Sequence, residues 1–240
     1  MKRSLAIFAI LALSSMSLCA AENYTREQML NLFAKYNPAV LERAKQDKGY
    51  ALLLESVMAS YNVEQNENNY YELVALVRNF DTSLELSALS QEYDRAFPIN
   101  YAYGLDTSAI TDRFIEDLHP VFGKIWAVTV QVRELQVKDK KQQIKDLRHN
   151  KTLSAQEKEQ VKKELNNQLS LLKKEIKSLK KDSSQQIDFV IKNYVAQEQE
   201  QSLLSFQEEQ RIAAAMEQEK AAKEAKNLSV TSKNKKPVAK

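Results

Sequence analysis

Few side chains in this 240-residue chain are spaced for covalent or metal chemistry. His119 and His149 stand far apart in the sequence, and Cys19 is the single cysteine. Zinc sites gather clustered His and Cys ligands, so a shared metal is not expected and both histidines read as surface residues. No Gly-rich loop is present to cradle a phosphate, no nucleophile elbow is spelled out, and no cysteines are paired. Nucleotide-dependent chemistry therefore has no site. One acid–base candidate remains: Glu55 follows Leu52, Leu53 and Leu54, and an apolar pocket would raise its pKa into the range a general acid needs. The reading we adopt instead puts Glu55 on the exposed edge of an amphipathic helix. No catalytic residue, cofactor or metal is assigned.

What the sequence does concentrate is charge. The net +3 conceals blocks. Residues 22–137 carry 10 basic and 17 acidic groups, 138–181 carry 14 and 6, 182–219 carry 2 and 8, and 220–240 carry 7 and 1. Blocks of this kind make contact surfaces for partners of opposite sign. Lys138, Lys140, Lys141, Lys145, Arg148, Lys151, Lys158, Lys162 and Lys163 crowd around one polar stretch. We expect them to form a basic arm that binds a protein partner, an anionic envelope polymer or lipid headgroups. Nucleic acid would also satisfy the charge, but no aromatic interrupts the stretch to stack on bases, and the export expected below takes the chain away from it. The plainer alternative is a coiled-coil surface kept soluble by lysine.

The elements that must position these groups read as helices. Three Gly and four Pro are too little punctuation for a many-stranded sandwich or barrel. The fold class is all-α. Thr25 caps a first helix, and Asn37-Pro38 ends it and opens a second. The Asn-rich run from Asn62 to Asn69 separates a third, so that 22–97 forms an N-terminal helical domain. Turn residues and aromatics concentrate in 98–123, read as a packed connector with a short helix from about Ser108 to Leu118. Between Gly123 and Pro237 no Gly or Pro interrupts the chain, the composition of long helices. Val128, Val130 and Val132 alternate like a strand, yet their flanks keep helical spacing and helix is favoured. Ser154 followed by Glu157 is a capping signature. Leu165, Leu169, Leu172, Ile176 and Leu179 then step by four and three as a coiled-coil seam. Residues 124–181 thus read as a long antiparallel helical hairpin with a basic tip, 182–226 as a further long helix, and 227–240 as a disordered basic tail.

Residues 1–21 have a signal peptide's order: Lys2 and Arg3, an apolar run from Leu5 to Leu13, then small residues to Ala20 and Ala21. Export to a bacterial periplasm or cell envelope is expected. Leu18 stands where lipoprotein processing wants a small residue, so lipidation at Cys19 is not expected. The apolar run is too short to span a bilayer.

Three short resemblances follow from these residues. Glu55-Ser56, with Asn100-Tyr101-Ala102-Tyr103-Gly104, resembles the helical Glu-Ser and later Tyr-Asn segment of lytic transglycosylases, which implies a peptidoglycan-cleaving acid at Glu55; the Gly- and Gln-bearing motif between them is absent. A leader followed by a basic-ended hairpin resembles Skp-type periplasmic holdases, although those surround the hairpin with a β-containing body. Tyr24-Thr25-Arg26-Glu27-Gln28 and Leu153-Ser154-Ala155-Gln156-Glu157 are similar to the Leu-Thr-x-x-Gln repeat of Spy-type chaperones, with departures in each copy. The function expected from the whole is a non-catalytic, chaperone-like or adaptor protein. The alternatives are an oligomeric coiled-coil spacer of the envelope and the Glu55 enzyme.

Overall fold

The computed structural model of the chain describes residues 22–233, with side-chain surroundings through Lys223. Residues 1–21, read above as a signal peptide and including Cys19, lie outside the described residues. Eight helices account for the described fold: α1 Arg26–Tyr36, α2 Pro38–Gln46, α3 Lys48–Ser60, α4 Glu67–Arg78, α5 Phe80–Ala102, α6 Ser108–Leu147, α7 Ala155–Lys181 and α8 Ser183–Lys233. Among these residues there is no strand, only an isolated bridge between Asn23 and Glu64. The protein is all-α.

Local chemistry sets the helix starts. The Thr25 hydroxyl accepts from Gln28 N while the Gln28 side chain accepts from Thr25 N, a capping box that satisfies two otherwise orphaned amides. Pro38 occupies the first turn of α2, where its missing N–H costs nothing. Asp47 caps α3 through Tyr50 N and Asn66 caps α4 through Asn69 N. Ser154 and Glu157 close a second capping box at α7. Gly104 takes a φ of 66° in the turn between α5 and α6, the left-handed region an L side chain resists.

Two compact units result. The first comprises the chain to Leu89 together with Ile115–Ile191, and the second comprises Ser90–Phe114 together with the chain from Lys192. Helices α5, α6 and α8 each contribute residues to both. In the first unit Met29, Phe33, Val40, Leu73, Val74 and Val77 are fully enclosed, and Val132 of α6 joins the same cluster. Phe80 meets the rings of Phe33 and Tyr50 edge-on, with centroids 5.5 and 5.6 Å apart. In the second, Tyr93 stacks on Phe97 and Phe114 at 5.1 and 4.2 Å.

The structure differs from the sequence reading in the expected connector. Pro98 lies inside α5 and Pro120 inside α6, and Gly123 continues α6 rather than ending the short helix proposed for Ser108–Leu118. An interior proline costs a helix about 3 kcal/mol and a glycine about 1. Leu118 and Val121 flank the proline with no exposed surface, and two fully buried aliphatic side chains together contribute about as much. Tertiary burial therefore outweighs local propensity. Val128, Val130 and Val132 are helical. Helix α8 runs to Lys233, past the Asn227 where the tail was expected to begin, because nothing before Pro237 breaks it; residues 234–240 lie outside the described residues.

Candidate functional site

The basic stretch spans the end of α6, the turn from Arg148 to Ser154, and the start of α7. Asn150 shapes that turn, its side-chain oxygen accepting from the backbone N and the hydroxyl of Thr152 at 2.8 and 2.7 Å. On α6, Lys138, Lys141 and Lys145 recur at helical spacing, and Arg148 continues the row just past the helix end. They form a strip about 15 Å long at 1.5 Å per residue. All four are exposed, as are Lys151, Lys162 and Lys163, while Lys158 is half-buried. The seam residues lie on α7: Leu165 and Leu169 are buried, and Leu172, Ile176 and Leu179 half-buried. Between α6 and α7, Arg133 Nε meets Glu175 at 2.9 Å, Lys180 Nζ meets Glu134 at 2.6 Å, and the Trp126 indole donates to Leu179 O at 3.0 Å.

The carboxylates of the stretch are engaged elsewhere. Asp139 accepts from the Tyr71 hydroxyl at 2.9 Å, Asp146 from Gln142, Glu164 from Gln168 and Glu175 from Arg133. Glu157 accepts from Ser154, and that bonding holds its pKa below the usual carboxylate range. Glu159 pairs with Lys162 at 3.4 Å. Among the described residues, Lys138, Lys141, Lys145, Arg148, Lys151, Lys158 and Lys163 form no ion pair. All but Lys158 are exposed, in a stretch of 14 basic and 6 acidic groups.

Lys140 differs from the rest. The period that aligns Lys138 with Lys141 turns Lys140 toward α4, where its Nζ donates to Glu67 Oε2 at 2.7 Å; its side chain is 11% exposed against 46% for Glu67. It joins α6 to α4 and is not available to a partner.

Glu55 is exposed and ion-paired with Arg26. The hydrogen bond from that guanidinium holds its carboxyl below the usual range. A general acid needs the opposite shift. Of the three leucines that precede it, Leu54 is buried while Leu52 and Leu53 are exposed. His119 lies near Asp188 at 3.7 Å and His149 is in the exposed turn. Among the described residues no group of His, Cys, Asp and Glu could hold a metal, and no helix is long and apolar enough to cross a membrane.

Sequence reading missed a buried polar set in the second unit. Ser90 and Tyr194 share a hydrogen bond of 2.6 Å, Tyr93 and Thr111 one of 3.1 Å, Gln199 donates to Tyr93 at 3.0 Å, and Ser202 donates to Asp94. Glu198 is buried among them; burial first, then the Asp94 charge, raises its pKa. Ile191, Val195, Glu198 and Ser202 step by four, three and four along α8, out of register with the Leu165–Leu179 seam, so continuing that seam does not reach them. Compared with known proteins, the chain matches no family model, no curated protein and no solved structure.

Proposed function

We propose that this is an exported, non-catalytic interaction protein whose α6–α7 segment acts as a basic arm, an antiparallel helical hairpin that holds acidic protein segments or anionic envelope components by its cationic end. The observation that carries the reading is the set of seven cations that form no ion pair, six of them exposed, in a stretch of 14 basic and 6 acidic groups. The cross-helix bonds of Arg133, Trp126 and Lys180 support the hairpin. Positive charge displayed this way raises the association rate with an anionic surface and makes the complex sensitive to salt.

The test is capture from the producing cell's envelope by the full chain and by a variant with Lys138, Lys141, Lys145, Arg148, Lys151 and Lys163 changed to Gln. All six are exposed, so folding is retained. Recovery is expected to fall with the variant and as salt passes from about 50 to about 300 mM, where screening shortens from above 10 Å to below. Equal recovery in every arm of the experiment rejects the basic arm. The second reading, an oligomeric coiled-coil spacer, rests on large apolar side chains left in water outside the Leu165–Leu179 seam: Leu171 of α7 is 66% exposed, and so is Phe189 of α8. A protein that brings down only itself, whatever the state of the arm, favours that reading.

A further inference from the structure

Within the second unit, α5 and α8 run in the same direction. Ser90 bonds Tyr194, and further along both helices Asp94 bonds Ser202. At equal rise per residue, Ala102, the last residue of α5, comes level with about Gln210 of α8. Helix α8 nevertheless continues to Lys233, which is about 35 Å farther. Every described side chain from Gln207 to Lys223 is exposed. Two of them are large and apolar, Ile212 at 49% and Met216 at 67%, one turn apart on the same side. Ala213, Ala214 and Ala215 between them, with Ala221 and Ala222 beyond, leave room for a second backbone to approach. In proteins most helical stability comes from packing one face against a neighbour.

The charge order of the extension selects its occupant. Residues 207–219 carry four acidic groups and one basic, whereas 220–233, the remainder of the helix, carry four basic and one acidic. Two copies laid side by side in parallel would set acid on acid and base on base. Laid antiparallel about the boundary between Glu219 and Lys220, each acidic block covers the basic block of the other, twice over by symmetry. Met216 then lies against the alanine-rich turn beyond Lys220 of the other copy. We propose that α8 beyond Gln210 is a dimerisation element that pairs antiparallel with the same element of a second copy of this chain. The proposal is independent of the basic arm.

Sedimentation of the full chain over a range of concentrations tests it, with two variants whose substitutions all fall on exposed side chains. One carries Lys220→Glu with Lys223→Glu; the other carries Glu208→Lys with Glu209→Lys. The parent is expected to dimerise, with a dissociation constant that rises at least about tenfold from low to high salt. Each variant alone should dimerise about tenfold more weakly, with the helical circular dichroism unchanged, and an equimolar mixture should pair as the parent does. Parallel pairing predicts no weakening from either variant, since like already faces like. A parent that stays monomeric, a dimer indifferent to both variants, or weakening without recovery in the mixture overturns the proposal.

Discussion

Lys140 and Lys141 are adjacent in sequence and equally basic, yet the structure gives them opposite tasks. Lys141 is exposed without an ion pair; Lys140 lies under α4 with its Nζ 2.7 Å from Glu67. Changing Lys140 to Met keeps the apolar stem and removes only the ammonium. Exposed ion pairs contribute about 0–1 kcal/mol and breaking a fully buried one costs about 3–5. With one partner nearly enclosed and the other half-hydrated, Lys140→Met should cost about 1.5 kcal/mol. For a chain of this size that lowers the melting midpoint by about 3–6 °C. Lys141→Met should leave stability within about 0.5 kcal/mol of the parent. Melting followed by circular dichroism at 222 nm separates the two, and the same proteins enter the capture experiment. There the expected pattern inverts, with Lys141→Met losing partner and Lys140→Met retaining it. Equal melting midpoints for the two variants would refute the assignment of Lys140 to the scaffold.

The remaining predictions address packing, capping and pH. Phe33→Ala empties a fully enclosed site against Phe80 and should cost about 3–5 kcal/mol, read as the largest fall in melting midpoint among single core truncations of α1. Ser154→Ala removes the hydroxyl that accepts from Glu157 N and should cost about 1 kcal/mol, seen as faster hydrogen exchange confined to the first turn of α7. The raised pKa of Glu198 means that its contribution to stability is fully present below the ordinary carboxyl value of 4.5 and is lost as pH rises through the raised one. Glu198→Gln should therefore melt higher than the parent at pH 7 and lose that advantage at pH 4; a constant difference between the two curves would count against the buried acid.

Much of the scaffold was legible because it is local chemistry. Thr25 as a helix cap and Ser154 with Glu157 as a capping signature are read directly, and the lack of breakers after Gly123 foretells long helices. Pro98, Pro120 and Gly123 misled because their cost is local while the burial of Leu118 and Val121 that offsets it comes from distant residues. The cations at the turn were visible as composition. Sequence could not show that Lys140 alone among them is sequestered, since that depends on α4 meeting α6 with Glu67 at the crossing. Nor could spacing alone reveal the polar interior at Ser90, Asp94, Glu198 and Ser202, where hydroxyls and carboxylates occupy inward-facing positions that periodicity assigns to apolar groups.

The division of α5, α6 and α8 between two units also orders events in time. Asn37 finds Val77 across a separation of 40 residues, whereas Ser90 waits for Tyr194 across 104. Closing the longer loop costs only about 0.8 kcal/mol more in chain entropy. The larger effect is one of supply. A chain that emerges N-terminus first holds everything α1 to α4 need to pack while the partner of Ser90 has yet to be made. Tyr93, Phe97 and Phe114 must meanwhile stay in water or be covered by something else, so the aromatic face of the second unit is the part of the newborn molecule most in need of protection from aggregation.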